Sequence, residues 1–401
     1  MPHEHPFDRY VAFTDLGLLN DFSGRPLRKS IRANMLKISI ADLVARAKAK
    51  GWELTPVPWA SEAFFIDRED RSQGLGKDLL HLLGCFYMQE AASMLPVALL
   101  DPQPGEAILD MSAAPGSKTT QIAGRMKGQG VIVANDVQEK RLWTLKHALH
   151  RLGVANVIVT KKVGQWFGGH MVERFDRVLC DAPCTAQGTA RKDSDALNYC
   201  SLDNIGKMAR LQHSLLEAAI HATKVGGTIV YSTCTLTPEE NELVIADMLR
   251  LYDGQIEVVE STVADFSQAI MDSHRVQEAL DKEGNWPLPG TRLPLIRLWP
   301  QTYDTEGFFC AVLRKTAPTR DAIGEKWVRF QEEAMPRARA KEVLRYLEGQ
   351  YGTPLVHEGE TVFARGEQLL LATEDIEKFG LSVSNYSLGL PLGKRLPDGR
   401  I

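Results

Sequence analysis

The sequence predicts an α/β fold, in which helices cover both faces of a Rossmann-like, mainly parallel sheet. From residue 106 onward, short apolar segments alternate with longer segments of helical periodicity, which is typical of strands joined by right-handed crossovers. Several short segments end in an acid or a cysteine, which indicates a site at the carboxyl ends of the strands. Seven strands are expected, at residues 107–110, 131–136, 156–160, 177–181, 227–234, 256–259 and 308–313.

Helical patterns separate these strands, at residues 119–126, 139–152, 203–223 and 239–251. The pattern at 203–223 is the clearest, because Ile205, Leu211 and Leu215 fall on one apolar stripe that can pack on a sheet. The strand at 227–234 must end before Pro238, since proline lacks the N–H that a strand ladder needs and is favoured in the first turn of a helix.

The chain is too long for one ordinary core, and its 401 residues divide into three regions. Residues 1–100 are expected to form an N-terminal region and residues 101–316 the α/β domain. Residues 317–401 are expected to form a separate small module, α/β or mostly β, with a helix at 325–347 followed by short strands.

Composition indicates a globular protein of the cell interior. The chain has 44% hydrophobic and 24% charged residues and a formal charge of −4, and no apolar run approaches the roughly 20 residues of a membrane span. Its six cysteines form no Cys-x-x-Cys pair, which argues against a structural zinc site and a disulfide framework. We therefore expect a monomeric cytoplasmic protein without a metal.

A basic cluster lies near the start of the chain. Arg25, Arg28, Lys29 and Arg32 place four cations within eight residues, and such a cluster can bind phosphates. On these residues alone, a solvated charged surface is the other interpretation.

The turn after the first expected strand consists of small residues. Ala113, Ala114, Gly116 and Ser117 leave the backbone open to a ligand, and the following helix offers free N–H groups to an anionic group. A P-loop is excluded by the spacing of glycine and lysine. Asp136, at the end of the second strand, can accept both hydroxyls of a ribose. S-adenosylmethionine and a dinucleotide both fit, although the Gly-x-Gly-x-x-Gly fingerprint of dinucleotide sites is absent.

Two cysteines follow neighbouring strands. Cys234 ends the fifth strand, and Cys184 follows Asp181 at the end of the fourth. A single buried cysteine is commonly structural, but two thiols and a carboxylate at one edge of a sheet favour catalysis. With a methyl donor, thiols can activate a pyrimidine, because carbon 5 becomes nucleophilic once a thiolate adds to carbon 6. An ordinary thiol, with a pKa of about 8.5, is little ionised at neutral pH, so the site must favour the thiolate.

Three motifs occur in the order of their strands: Ser112-Ala-Ala-Pro-Gly-Ser-Lys118, Asp181-Ala-Pro-Cys184 and Ser232-Thr-Cys-Thr235. Together they resemble the Nol/Nop/Sun (Sun-domain) family of RNA cytosine-5 methyltransferases. The resemblance extends from about residue 25 to residue 315. The segments that begin at Arg25, Tyr87 and Tyr303 are most similar to the bacterial F-type branch, which modifies 16S ribosomal RNA.

The resemblance implies a role for each motif. Cys234 would attack carbon 6 of cytosine, and Cys184 would promote loss of the carbon-5 proton and release of the enzyme, the reverse of the order in DNA cytosine-5 methyltransferases. Asp181 would hydrogen-bond the cytosine or the methyl-donor end. The implied cofactor is S-adenosyl-L-methionine, and the residues expected to bind it are Ser112, Ala113, Ala114, Pro115, Gly116, Ser117, Lys118, Asp136, Arg141 and Asp181.

The implied partner is structured RNA, with ribosomal RNA favoured over transfer RNA by the resemblance. A target base has to be unstacked and turned into the pocket. The region 317–401 is similar to the start of a small RNA-binding module. The residues expected to contact RNA are Arg25, Arg28, Lys29, Arg32, Arg191 and Lys192.

Two positions depart from the family pattern. Ser112 stands where members commonly have cysteine, a near-isosteric change. Val163 stands where they often have an aspartate near the adenine, and loss of one acceptor weakens cofactor binding by about 1 kcal/mol. Val163 is also the best support for an alternative, a non-catalytic RNA-binding assembly factor on the same fold.

Overall fold

Three sheets organise the part of the chain that the structure describes. The structure is a computed structural model, and it describes residues 6–70, 72–261, 263–321, 332–352, 359–379 and 385–395. In these residues, no helix has both the length and the apolar character needed to cross a membrane.

The N-terminal region forms a four-stranded antiparallel sheet of order β2-β3-β1-β4. Its elements are α1 (Leu16–Gly24), β1 (Ser30–Ala33), α2 (Ile40–Ala49), β2 (Trp52–Val57), β3 (Ala60–Arg68), α3 (Leu79–Leu82), β4 (Phe86–Met88) and α4 (Leu95–Leu100). Helix α2 begins after Ser39, whose hydroxyl accepts a hydrogen bond from the Asp42 N–H at 3.0 Å. This satisfies a backbone donor that a helix start would otherwise leave free.

The central sheet carries the strands that the sequence predicts. Its elements are β5 (Ala107–Asp110), α5 (Ser117–Arg125), β6 (Val131–Asn135), α6 (Glu139–Leu152), β7 (Val157–Thr160), α7 (Gln165–His170), β8 (Phe175–Asp181), α8 (Leu202–Ala222), β9 (Thr223–Thr233), α9 (Glu242–Leu251), β10 (Ile256–Val258), α10 (Ser267–Lys282), β11 (Ile296–Leu298), α11 (Pro300–Tyr303) and β12 (Phe308–Lys315). Strands β5 to β9 pair in parallel, whereas β10 and β12 run antiparallel to their neighbours.

The seven expected strands form one continuous path, β10-β12-β9-β8-β5-β6-β7, and the predicted α/β, Rossmann-like fold is confirmed. The side chains of consecutive residues along these strands pack on opposite faces of the sheet, in two separate hydrophobic cores. Leu109 and Val178 pack on one face of the sheet, whereas Ile108 and Leu179 pack on the other. Both faces are therefore buried, which explains why the strands read as short, almost entirely apolar runs.

The C-terminal region contributes to the central sheet as well as to its own. Its elements are β13 (Glu333–Ala334), α12 (Arg337–Tyr351), β14 (Glu360–Arg365), β15 (Gln368–Thr373), α13 (Glu374–Phe379), β16 (Ser387–Leu388) and β17 (Leu390–Lys394). Strand β16 pairs with β7 and extends the central sheet at its edge. No sequence pattern predicted this strand, because two residues are too few to show a periodicity.

The helix expected at 325–347 is shifted. Residues 322–331 lie outside the described part, residues 333–334 form a short strand, and helix α12 begins after Pro336. Proline fixes an extended neighbour before it and favours a helix start after it. The apolar side of the helix, Ala340, Val343 and Leu347, packs against the sheet of this region.

Arg32 is buried, and the prediction that it contacts RNA is wrong. Arg32 is 1% exposed because β1 lies between β3 and β4 and its side chain reaches Ser117 and Thr120 of helix α5. The guanidinium donates to Gln89 Oε1 at 2.9 Å, to Thr120 Oγ1 at 2.8 Å and to the Ser117 carbonyl at 3.2 Å. Burial lowers its pKa to about 10, so it remains a cation at neutral pH. Arg32 therefore joins the N-terminal sheet to the helix that follows the small-residue turn.

Replacing Arg32 with alanine should lower the free energy of unfolding by about 3 kcal/mol, because it leaves three acceptors, two of them buried, without their charged donor. Urea denaturation measures this. The exposed neighbour Lys29, changed to alanine, is the control and should alter stability by less than about 0.5 kcal/mol. Unchanged stability in Arg32→Ala, together with weaker RNA binding, would contradict the buried role.

Candidate functional site

The parallel pairing of β8 and β9 brings two cysteines together. Asp181 lies opposite Ser232 in the ladder, and the Ala182 N–H donates to the Ser232 carbonyl at 2.9 Å. Both strands end directly afterwards, and the Sγ atoms of Cys184 and Cys234 lie 3.3 Å apart. All six cysteines are free, and both of these are half-buried.

Cys184 is held in its thiol form. The hydrogen bond to Cys234, burial, and the negative charge available on Cys234 and Glu240 together raise the pKa of Cys184 well above its ordinary value. At neutral pH the Cys184 thiol can therefore donate its proton toward Cys234 Sγ.

Lys118 and Asp181 form an ion pair beside the thiols, with Nζ 2.7 Å from Oδ2. The other carboxylate oxygen of Asp181 accepts a hydrogen bond from the Ser232 hydroxyl at 2.7 Å. Burial opposes the charge on Lys118, but Asp181, Asp110 and Cys234 favour it, and its pKa is raised above the ordinary value. A fixed cation thus stands at the same edge of the sheet as the Cys234 motif, to which Asp181 connects it through Ser232.

The small-residue turn joins β5 to α5. The Ala113 N–H donates to the Asn135 carbonyl at 2.7 Å, and the Gly116 N–H donates to the Ala113 carbonyl at 2.7 Å. Gly116 has φ of 105°, a conformation that side chains disfavour. Ser112 and Ser117 are half-buried, and Pro115 is exposed. The turn is therefore tight, and its backbone lies close to the carboxyl ends of β5 and β6.

Asp136 lies just past β6 and is 2% exposed. Its Oδ1 accepts a hydrogen bond from the Gln138 N–H at 2.9 Å. Among the described residues its Oδ2 has no hydrogen-bond partner, although Arg141 Nη1 lies 3.2 Å away in an ion pair. Arg141 also donates to the Ala114 carbonyl and so connects the turn to this acid. A buried carboxylate oxygen that lacks a hydrogen bond fits a ligand hydroxyl, as a ribose would supply.

The loop after β7 is fixed by Asn135. Its side chain accepts from the Lys162 N–H at 2.9 Å and donates to the Lys162 carbonyl at 2.9 Å. Val163 follows, with 56% of its surface exposed. Its side chain can neither donate nor accept a hydrogen bond, so any polar contact to an adenine here has to come from the backbone or another residue.

The basic residues expected to contact RNA have different environments. Arg25 is exposed and pairs with Asp21, whereas Arg28 lies over the ring of Phe65 at 3.9 Å. Lys29 and Lys192 are exposed. Arg25, Lys29 and Lys192 are therefore accessible to RNA, and Arg28 is partly accessible.

Arg191 is not available to RNA, and its predicted role is wrong. Its side chain is 1% exposed, and it pairs with Asp304 at 2.8 Å. It also donates to the Thr305 carbonyl at 2.9 Å. The residue attaches the segment before β12 to the loop that follows Cys184.

Sequence reasoning missed three side chains of this site: Ser232, Glu240 and Glu306. Ser232 and Glu240 lie within or just after the Cys234 motif, so their positions were visible but their partners were not. Glu306 is 5% exposed, and burial, reinforced by the charge of Glu90, raises its pKa to about 7. Only the fold brings Glu306 to Glu90, which lies more than two hundred residues earlier; the Glu306 N–H lies 3.3 Å from Glu90 Oε1.

Comparison with known proteins shows which family this chain is similar to. Residues 97–314 match the family described as 16S rRNA methyltransferase RsmB/F, and residues 16–91 match the N-terminal domain of 16S rRNA methyltransferase RsmF. The chain is 40% identical over 381 residues to ribosomal RNA small subunit methyltransferase F of Aeromonas hydrophila, covering 94% of this chain and 76% of that protein. It is 41% identical over 357 residues to the protein of that name in Vibrio cholerae, covering 88% and 71%.

Solved structures agree with the sequence matches. A methyltransferase homolog from Pyrococcus horikoshii superposes with a TM-score of 0.65 at 38% identity, over 77% of this chain and 93% of that one. NSun6 from Pyrococcus horikoshii, solved with SFG, gives a TM-score of 0.64 at 24% identity, over 79% and 98%. The second likeness concerns the fold alone.

Replacing Cys234 with alanine should move the alkylation of Cys184 to lower pH. The hydrogen bond and charge of Cys234 raise the pKa of Cys184, so their loss lowers that pKa and yields more thiolate at a given pH. Iodoacetamide labelling, followed by peptide mass spectrometry across a pH series, measures the profile. Cys200→Ala is the control and should leave it in place. An identical Cys184 profile in Cys234→Ala and wild type would contradict the coupling.

Proposed function

This chain belongs to the RsmB/F family of 16S rRNA methyltransferases, and we propose on that basis that it methylates carbon 5 of a cytosine in small-subunit ribosomal RNA. The observation that carries the proposal is the 3.3 Å approach of two thiols beside the Lys118–Asp181 ion pair. Relatives named for the small ribosomal subunit favour ribosomal over transfer RNA. The intact thiol pair disfavours a non-catalytic assembly factor.

Cys234 is the proposed nucleophile. Its thiolate adds to carbon 6 of the cytosine, and the electron pair displaced from the 5,6 double bond makes carbon 5 nucleophilic. The Cys184 thiol donates a hydrogen bond toward the Cys234 sulfur, and the Lys118–Asp181 ion pair lies at the same edge of the sheet. After attack the Cys234 sulfur is a neutral thioether.

Cys184 is the proposed base for the release step. Once Cys234 is bonded to carbon 6, its sulfur is a poor hydrogen-bond acceptor and carries no charge, so two causes of the raised pKa of Cys184 are weakened. Cys184 can then lose its proton to solvent and accept the proton from carbon 5. The electron pair of that C–H bond re-forms the double bond, and the bond from carbon 6 to Cys234 breaks to return the thiolate.

Asp181 is proposed to bind the base. Lys118 and Ser232 fix its carboxylate beside both thiols. A carboxylate in this position accepts a hydrogen bond from the exocyclic amino group of cytosine, a group that uracil lacks. This contact orients the ring so that carbon 6 faces Cys234.

S-adenosyl-L-methionine is the cofactor of this methyltransferase family, and it supplies an electrophilic methyl group when bound. The residues of the turn fit it. Asp136 presents a buried Oδ2 toward which a ribose hydroxyl can donate, and Arg141 keeps that carboxylate next to the turn. Residues 112–118 are proposed to hold the methionine part, since they form a tight turn of small residues directly after β5.

RNA is the partner of this family, and we propose the surface that binds it. Arg25, Arg28, Lys29 and Lys192 lie at the surface and can contact phosphates. Residues 1–100 and 317–401 are proposed to flank the methyltransferase domain at 101–316 as RNA-recognising regions. A monomeric state and a cytoplasmic location belong to the same proposal.

The two cysteine variants should fail differently. Cys234→Ala should abolish methylation, because no thiolate can add to carbon 6. Cys184→Ala should still form the bond but release it slowly, and a covalent protein–RNA adduct should persist on a denaturing gel. Incubation with 16S rRNA and radiolabelled S-adenosylmethionine measures both effects, with Cys200→Ala as the control. The mechanism would be contradicted if Cys234→Ala still methylated RNA and Cys184→Ala left no persistent adduct.

A further inference from the structure

Glu240 is a buried acid that contacts the loops after both cysteines. Its side chain is fully buried, within the 3-10 turn that follows β9. On the first side, Oε2 accepts from the Thr185 N–H at 3.0 Å, and Oε1 accepts from the Thr185 hydroxyl. On the second side, the Thr235 hydroxyl, which also contacts Gln187 Oε1, lies 3.3 Å from Glu240 Oε1. Thr185 and Thr235 are the residues that directly follow Cys184 and Cys234.

Further contacts fix the carboxylate itself. Thr237 donates to Oε1 at 3.1 Å, and Gln212 Nε2 lies 2.7 Å from Oε2. The same Gln212 amide lies 2.8 Å from the Pro183 carbonyl, one residue before Cys184. The Tyr231 hydroxyl donates to the Glu240 carbonyl at 2.6 Å. The carboxylate is therefore an acceptor shared by both loops, and the backbone carbonyl of the same residue is bonded to strand β9.

All of these donors are neutral. Within the described residues, no lysine, arginine or histidine lies at ion-pair distance from Glu240. A carboxylate buried without a cation is costly, and a neutral side chain of similar size would avoid that cost. A packing role alone therefore does not account for an acid at this position.

The charge has a use beside the thiols. The groups that face Cys184 are the Cys234 thiol, the Glu240 carboxylate and the Tyr231 phenol, and the Glu240 charge is one cause of the raised pKa of Cys184. A negative charge on this side opposes a thiolate at Cys184. Cys184 thus keeps its proton and can donate it to Cys234.

We propose that Glu240 is a positioning residue that fixes the two cysteine loops against each other and keeps the proton of the thiol pair on Cys184. This inference rests on the proposed function, since it concerns the same two thiols. Glu240 itself does not touch the base or the cofactor in this assignment.

Two substitutions of Glu240 separate its contacts from its charge. In Glu240→Gln the amide oxygen can accept from the Thr185 N–H and from Gln212, while the two amide N–H groups donate to two of the three threonine hydroxyls, which can rotate. The loops should stay in place and only the charge is lost. In Glu240→Ala both the contacts and the charge are lost.

Thiol proximity is measured with dibromobimane, which links two cysteines only when they are close, followed by peptide mass spectrometry. Glu240→Gln should cross-link Cys184 to Cys234 as wild type does, but alkylation of Cys184 should move to lower pH. Glu240→Ala should cross-link several-fold more slowly and lower kcat by about 100-fold, with little change in KM for RNA. Wild-type cross-linking in Glu240→Ala, or an unshifted pH profile in Glu240→Gln, would overturn the inference.

A matched threonine pair keeps the test decisive if Glu240→Ala does not fold. Thr235→Val removes the hydroxyl next to Cys234, whereas Thr237→Val removes a hydroxyl that binds the same carboxylate but follows no cysteine. The first should slow cross-linking and the second should not, and equal effects would overturn the inference.

The cross-linking assay needs neither RNA nor cofactor, so the two hypotheses can fail separately. If wild-type protein does not methylate RNA but cross-linking still depends on Glu240, the proposed function fails alone. If Glu240→Ala methylates at the wild-type rate, the positioning inference fails alone.

Discussion

The parallel pairing of β8 with β9 is the constraint on which the site depends. Its register sets Asp181 opposite Ser232, and the chain then turns away from the sheet within three residues on each side. The two sulfur atoms consequently meet at 3.3 Å, although they are fifty residues apart in sequence. A shift of the ladder by one residue would turn the side chains of β9 to the other face and separate Ser232 and Cys234 from Asp181 and Cys184.

The ion pair of Lys118 with Asp181 connects the two halves of the site. Lys118 belongs to the first turn of α5 and so moves with the small-residue turn, while Asp181 belongs to the thiol side. The N-terminal sheet in turn holds α5 through Arg32 and through an ion pair of Arg125 with Glu62 at 2.9 Å. The N-terminal region therefore supports the geometry of the turn as well as adding surface to the protein.

The sequence predicted the parts of the site that depend on residues next to a strand end. The strands, the turn and the positions of Cys184 and Cys234 follow from periodicity and from the residues next to them. Arg32 and Arg191 could not be judged in this way, because their burial depends on partners about 60 to 110 residues away in the chain. Glu240 was visible as an acid after proline, but an acid in a helical first turn is ordinarily a solvent-exposed partner of the helix dipole. Its burial is a property of the packed loops.

The most direct measurement of the central claim is identification of the cysteine that bonds to the base. RNA containing 5-azacytidine at the target position blocks the release step, because nitrogen at position 5 carries no proton to remove. After incubation with wild-type enzyme and S-adenosylmethionine, nuclease and protease digestion followed by mass spectrometry locates the adduct. The account predicts a nucleotide on the peptide that contains Cys234. A nucleotide on the Cys184 peptide, or none on either, would contradict it.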